Sequence, residues 1–164
     1  MSIVINSYQV IEDEWSDLTN KSDCIDSGLN VIVSLDHLKN KFEQLTLKSK
    51  SLAVMLSETD SVDDILPFLN DLKMVVFQFK VFADGRAFSQ SKLLRSRHHY
   101  QGQIRAVGDV IRDQLSFMKR CGFSQFQLAK TEDVNQALHA FSDISKSYQP
   151  ELPKVNVQQS SIVK

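Results

Sequence analysis

Apolar positions follow two alternating patterns along the chain from residue 30 onward. Short apolar runs, several of them rich in β-branched residues, are typical of buried strands. Between them, apolar residues recur every three or four positions, which is typical of one face of a helix. The runs predict five strands, over residues 30–35, 51–57, 73–82, 103–107 and 124–129.

The segments between the predicted strands carry helix signals. Asp36 is expected to cap the first helix, Ser89 a short basic helix over 89–97, and Asp109 the clearest helix of the chain. Gly122 suits the left-handed position that ends this last helix. Pro67 leaves two interpretations open, because it either begins a helix after a short turn or kinks one.

Five strand–helix units in succession predict an α/β fold with a mainly parallel sheet. Five units are too few to close an eight-stranded barrel, so we expect an open doubly wound sheet or a curved half-barrel. A short β-hairpin is predicted around Asn6-Ser7. The predicted organisation is an N-terminal hairpin and link over 1–29, an α/β domain over 30–149 and a mobile tail over 150–164.

Length and composition indicate an ordinary globular protein. The chain has 164 residues, of which 42% are apolar and 24% charged, so one soluble domain is expected. No apolar run approaches the roughly 20 residues that span a bilayer, and the N-terminus lacks the pattern of a signal peptide. Cys24 and Cys121 are far apart and form no Cys-x-x-Cys group. We therefore expect a cytoplasmic protein that does not bind membranes.

Charge is distributed unevenly along the chain. Residues 84–120 contain eight Lys or Arg and three Asp, a net charge of +5, whereas the rest contains eleven basic and seventeen acidic residues, a net charge of −6. A nucleic-acid surface would need a larger basic face with interleaved aromatic residues. The asymmetry favours a local anionic ligand and no nucleic-acid partner.

Ligands of parallel α/β sheets bind at the carboxyl ends of the strands, where the third predicted loop is richest in polar groups. Gly85 allows a close backbone approach, and Arg86 offers a planar fork of donors to an oxyanion. Asp84 and Asp109 are the candidate catalytic residues, to transfer a proton or orient an arginine. The candidate anion-binding residues are Gly85, Arg86, Ser89, Arg95, Arg105 and Gly108.

Structural roles compete with these functional ones. Arg86 could form a salt bridge with Asp84 or Asp109, and Asp109 has an adequate role as a helix cap. Arg95 could belong to a solvated helix face. These alternatives remain open from the sequence, because clusters of charge indicate functional sites only statistically.

Cofactor and metal motifs are not visible in the sequence. It contains no Gly-x-Gly-x-x-Gly, no P-loop and no Gly-x-Ser-x-Gly group. The adjacent His98 and His99 point apart on any regular element, so we expect no metal site. The cofactor, if any, is unknown.

A long motif runs through residues 82–128, "FADGRAFSQSKLLRSRHHYQGQIRAVGDVIRDQLSFMKRCGFSQFQL". Its Phe-Ala-Asp-Gly-Arg, Leu-Leu-Arg, Tyr-Gln-Gly, Gly-Asp-Val and Arg-Cys-Gly-Phe groups resemble the signature of a bacterial family, domain of unknown function nine-three-four. The chain departs from the signature at Ala87 and His99, where glycine is usual. Gln103 replaces a common glutamate and removes one carboxylate from the expected cleft.

The resemblance implies a role in assimilatory sulfite reduction, since members of the family lie beside sulfite reductase genes and are labelled as candidate oxidoreductases. One hypothesis is an accessory protein or oxidoreductase with a small oxyanion, such as sulfite, in an anion-binding cleft. The alternative is a non-catalytic partner whose basic segment docks on sulfite reductase or its electron donor.

Overall fold

Eight strands and five helical segments build the protein in the computed structural model, which describes residues 3–7, 9–20, 27–80, 85–129 and 133–141. The strands are β1 (Val4–Ile5), β2 (Val10–Ile11), β3 (Trp15–Asp17), β4 (Asn30–Ser34), β5 (Ser51–Leu56), β6 (Leu72–Phe79), β7 (Gln103–Gly108) and β8 (Gln125–Gln127). The helices are α1 (Leu35–Lys48), a 3₁₀ helix (Val62–Phe68), α2 (Arg86–Ser96), α3 (Arg112–Arg120) and α4 (Val134–His139).

All eight strands form one sheet in the order β2-β1-β8-β7-β6-β5-β4-β3. Strands β3 to β8 run parallel to one another, and β1 pairs antiparallel with both β2 and β8. The predicted mainly parallel sheet and the N-terminal hairpin are therefore confirmed. The hairpin extends the sheet through β8.

The sheet is curled into a half-barrel. Its two edge strands, β2 and β3, are joined by only three residues, 12–14. A flat sheet of eight strands would separate these edges by roughly 34 Å. Four Cα-to-Cα steps reach at most about 14 Å, so the edges must bend toward each other. We call residues 12–14 the edge connection.

The helices pack on one face of this sheet. The larger core cluster joins strand residues such as Val33, Val75 and Phe126 to buried residues of every helical segment, among them Leu38 and Leu115. A doubly wound sheet carries helices on both faces, so of the two predicted architectures the structure has the half-barrel. A smaller cluster lies on the other face of the sheet, which we call the inner face. This cluster comprises Ile32, Ala53, Met74, Val76 and Val107.

Three helices start at residues other than the predicted ones. The side chain of Ser34, not Asp36, caps α1 by accepting from His37 N. Helix α2 begins at Arg86, ahead of the predicted cap Ser89, because the backbone is already helical at Gly85. Gly85 therefore holds the N-cap position of α2.

Helix α3 begins at Arg112, with Ile111 and not Asp109 at its N-cap. The chain turns before the helix can form: Gly108 has φ +98°, and Asp109 N donates to Phe79 O at 2.9 Å. Gly122, at φ +105°, confirms the left-handed residue predicted after this helix.

Two other features differ from the predictions. Pro67 lies inside the 3₁₀ helix Val62–Phe68, so it neither begins an α-helix nor kinks one. Strand β3 was not predicted, because its three residues are too few to show a periodic pattern. It pairs with β4 at the edge of the sheet.

Some predictions concern segments beyond the described residues. They include Asp84, the end of the third predicted strand and the tail over 150–164. Within the described ranges, no helix has the length and apolar character needed to cross a membrane.

Candidate functional site

A small pocket lies at the carboxyl ends of β5 and β6, beside the first turn of α2. The space within it that the centre of a water molecule can reach is about 10 Å³, room for about one water molecule. This edge is the usual ligand position in sheets of parallel strands. The carboxyl-edge pocket is lined by Leu56, Ser57, Glu58, Phe77, Gln78, Arg86, Ala87 and Gln90.

The turn after β5 forms one wall of the pocket. Asp60 holds this turn, because its Oδ2 accepts hydrogen bonds from Ser57 N and Ser57 Oγ, both at 2.7 Å. Asp60 N donates in return to Ser57 O at 3.2 Å. The turn thereby fixes Glu58, which lies between these two residues, in the wall of the pocket.

Helix α2 forms the opposite wall and holds the turn with two side chains that are four residues apart. Arg86 Nη1 donates to Glu58 O at 3.4 Å, and Gln90 Nε2 donates to Asp60 O at 3.1 Å. Gly85, which holds the N-cap position of α2, has no side chain to cap the first turn of the helix. This wall therefore combines a guanidinium group with the positive end of a helix dipole.

The side chain of Glu58 carries a buried acceptor that lacks a donor. Its Oε1 is buried and makes no hydrogen bond within the part of the chain that the structure describes. A buried acceptor left without a donor costs about 1–3 kcal/mol.

Arg95 lies away from the pocket, on the buried side of α2, and its side chain binds the backbone of two other segments. Its Nε donates to Gly122 O at 3.1 Å, and its Nη1 donates to Tyr100 O at 2.6 Å and to Gly102 O at 2.8 Å. Burial lowers the pKa of Arg95 to about 10, so it stays protonated at neutral pH. Its hydrogen bonds hold α2 to the start of β7 and to the turn after α3.

The residues around Arg95 leave no space for larger side chains. A Cβ at Gly122 would lie 2.5 Å from Arg95 Cγ, and a Cβ at Gly102 would lie 2.1 Å from the hydroxyl oxygen of Tyr100. The Tyr100 hydroxyl donates to Leu72 O at 3.0 Å, and burial raises the pKa of Tyr100. The Leu-Leu-Arg, Tyr-Gln-Gly and Cys-Gly-Phe groups of the long motif thus meet in one structural cluster.

Arg105 lies on the inner face of the sheet and is only 1% exposed. Its Nε donates to Gln125 Oε1 at 2.9 Å, and its Nη1 forms an ion pair with Asp13 Oδ1 at 2.8 Å. Asp13 belongs to the edge connection. The ion pair therefore fastens this connection to the middle of the half-barrel.

The structure does not bring the three predicted arginines together. Arg86 lies at the carboxyl-edge pocket, Arg95 is bound to backbone carbonyls, and Arg105 is paired with Asp13. All three donate hydrogen bonds to partners within the protein, Arg86 through Nη1 to Glu58 O. Of the three, only Arg86 lines the pocket.

The other predicted residues lie around the ends of β6, β7 and α2. Gly85 and Ser89 are near the start of α2, and Ser89 N donates to Gly85 O at 3.4 Å. Gly108 is the last residue of β7 and Asp109 follows it; both are exposed, and a Cβ at Gly108 would lie 2.2 Å from Phe79 O. Asp84 is outside the described residues. Within them, no group of three His, Cys, Asp or Glu side chains could hold a metal ion.

A family comparison bears on these elements. The model of a family described as "Bacterial protein of unknown function (DUF934)" matches residues 53–158, more than half of the chain. The chain belongs to this family. The match begins within β5, so it includes every residue that lines the carboxyl-edge pocket and all of the cluster around Arg95. A search of curated proteins found no match.

A second surface of this DUF934 protein combines aromatic and basic side chains on the outer side of α2 and α3. Phe117 is 44% exposed, with its ring centroid 5.1 Å from that of Phe88. Arg120 Cζ lies 5.5 Å from the centroid of the Phe117 ring. Lys92 is exposed on α2. We call Phe88, Lys92, Phe117 and Arg120 the basic–aromatic face.

Cys121 lies beside this face. Burial raises the pKa of the Cys121 thiol, and the positive charges of Lys92 and Arg120 oppose that rise. Both cations are therefore close to the same thiol. Of the eight basic residues in 84–120, Lys92 and Arg120 belong to this face, whereas Arg95 and Arg105 are buried.

Of the pocket residues, Gln90 was not predicted at the carboxyl edge, and Glu58 was expected in the loop after the second strand but not among the anion-binding or catalytic residues. Glu58 is recognisable in the sequence as an acid after the second predicted strand, but its unpaired oxygen depends on how the turn folds. Gln90 lies four residues after Arg86, which indicates a shared helix face only when the helix is known to begin at Arg86. Because α2 was predicted to begin at Ser89, the sequence did not indicate that Arg86 and Gln90 share a helix face.

Proposed function

We propose that this protein is an accessory protein of assimilatory sulfite reduction that binds a small oxyanion in the carboxyl-edge pocket. The pathway rests on the resemblance of the long motif to a family whose genes lie beside those of sulfite reductase. The proposal of an oxyanion ligand rests on the position of Arg86 in the pocket wall, at the start of α2, where Gly85 is the N-cap residue. Guanidinium groups and helix N-termini are both suited to oxyanions.

The small size of the pocket favours an accessory role over that of an oxidoreductase with a bound organic cofactor. Room for about one water molecule accommodates one oxygen of a ligand, with the rest at the mouth. A flavin or a haem needs a far larger cavity. We propose the cytoplasm as its location, which the free thiol of Cys121 supports.

Titration calorimetry with sulfite tests the proposed binding. Arg86→Ala should weaken sulfite binding at least about tenfold, because it removes a charge-assisted hydrogen bond. Arg97→Ala removes the same charge from the exposed other end of α2 and should leave the affinity unchanged. Equal affinities for wild type and Arg86→Ala, or no heat with wild type, would contradict the proposal.

The basic–aromatic face supports a second candidate function, docking on an acidic surface of sulfite reductase or its electron donor. An exposed phenylalanine beside an arginine is typical of the centre of protein interfaces. Lys92 adds the positive charge that would steer an acidic partner.

Co-sedimentation with sulfite reductase and with its electron donor tests this candidate. We expect association at low salt that is lost at high salt and weakened by Lys92→Glu. Lys50→Glu, an equal change at an exposed position before β5, is the control. No association at low salt, or the same loss with both variants, would count against docking through this face.

A further inference from the structure

The edge connection turns two carboxylates toward the solvent. Asp13 and Trp15 are directed inward, because Asp13 forms its ion pair on the inner face and Trp15 packs against the cluster there. Glu12 and Glu14 hold the alternate positions and are exposed, as in a strand, where successive side chains point to opposite sides. Val10, two positions before Glu12, is 52% exposed. We call Val10, Glu12 and Glu14 the acidic edge.

The basic–aromatic face is the chemical complement of the acidic edge. It presents the exposed ring of Phe117 with Arg120 against it, and the exposed Lys92 on α2. In the part of the chain that the structure describes, none of the charged side chains of these two surfaces forms an ion pair. Each surface therefore offers one exposed apolar side chain and two charges that the fold leaves unpaired.

The distribution of charge favours contact between copies of this chain. Residues 84–120 carry a net charge of +5 and the rest of the chain −6, which leaves −1 for the whole molecule. Two copies therefore repel each other little through net charge, whereas their oppositely charged regions attract. We propose that the basic–aromatic face of one molecule docks on the acidic edge of a second copy, with Phe117 against Val10.

The proposed contact should be weak and reversible. One apolar side chain and two charges on each side cover far less than the roughly 800 Å² per partner of a standard stable interface. Because the two surfaces differ, copies add head to tail unless their rotation closes a ring. The contact covers the basic–aromatic face, so self-association would compete with docking of that face on any other acidic protein.

Sedimentation velocity of the purified full chain tests the contact. At low ionic strength the sedimentation coefficient of the wild type should rise with protein concentration, and at high ionic strength it should fall to that of the monomer. Lys92→Glu and Glu14→Lys should each weaken self-association at least about tenfold, because like charges then meet. Lys50→Glu and Glu43→Lys reverse charges at exposed positions elsewhere and should associate as the wild type does.

A mixture of the two variants tests which surfaces meet. Glu14→Lys keeps the basic–aromatic face intact, and Lys92→Glu keeps the acidic edge intact, so their equimolar mixture should associate more strongly than either variant alone. A wild type that stays monomeric at low ionic strength, the same loss in the control variants, or a mixture that associates no more than its components would overturn the proposal. No other protein takes part, so these results leave docking on sulfite reductase to its own test.

Discussion

Replacement of Arg95 by methionine should destabilise the protein severely. The methionine retains much of the apolar stem but removes the donors to the backbone oxygens of Tyr100, Gly102 and Gly122. Each hydrogen bond from a charged group contributes about 1.5–3 kcal/mol. Part of this loss is offset, because the substitution also removes the desolvation penalty of the buried guanidinium, which is several kcal/mol. The expected net loss is about 3–5 kcal/mol of the free energy of unfolding, the range typical of a disrupted buried charge network.

Urea unfolding followed by circular dichroism measures this loss. The midpoint of Arg95→Met should fall by roughly 2 M, with the slope of the unfolding free energy unchanged. Arg95→Lys keeps the charge without the planar fork and should be intermediate. Arg97→Ala removes an exposed charge and should stay within about 0.5 kcal/mol of wild type. A loss below about 1 kcal/mol for Arg95→Met would refute the structural role of this arginine.

Three further changes test other parts of the fold. Tyr100→Phe removes the hydrogen bond to Leu72 O and should cost about 1 kcal/mol at neutral pH. Because the folded-state pKa of Tyr100 is raised, this stabilisation is complete below its ordinary pKa of 10.0 and is lost as pH rises above it. The difference in urea unfolding between wild type and Tyr100→Phe should therefore shrink at such pH. Gly122→Ala places a Cβ at a left-handed position and against Arg95, and should cost about 1–3 kcal/mol by thermal unfolding, whereas Gly85→Ala has open space and should stay within about 0.5 kcal/mol. Asp13→Asn removes the carboxylate partner of the buried Arg105 and should cost about 1.5–3 kcal/mol, against no measurable change for the exposed Glu14→Gln on the same connection. Equal stability of the two members of either matched pair would contradict the corresponding contact.

The periodic pattern was sufficient to predict the sheet because apolar strands and helix faces determine the core. Strands β4 to β7 lie within the predicted runs to within a few residues, since each buries a continuous apolar segment such as Val31–Val33 or Met74–Phe77. Helix starts were less predictable. The choice between Gly85 and Ser89, or between Asp109 and Ile111, depends on tertiary contacts such as that of Asp109 N with Phe79 O.

The candidate site was predictable in its position but not in its members. Arg86 follows a strand end and therefore lies at the carboxyl edge. Charge alone could not separate it from Arg95 and Arg105, because a buried arginine and an arginine that lines a pocket look the same in the sequence. Their partners are brought to them only by the tertiary fold: the packing of α2 against the start of β7 for Arg95, and the edge connection with Asp13 for Arg105.

Locating a bound anion would test the carboxyl-edge pocket most directly. Selenite has the charge and pyramidal shape of sulfite, and its selenium gives an anomalous X-ray signal. Crystals of the wild-type protein grown with selenite should show a selenium peak at the pocket, between Arg86 and Glu58. Selenium found only beside Lys92 and Arg120, or no peak at all from a selenite-saturated crystal, would contradict the account.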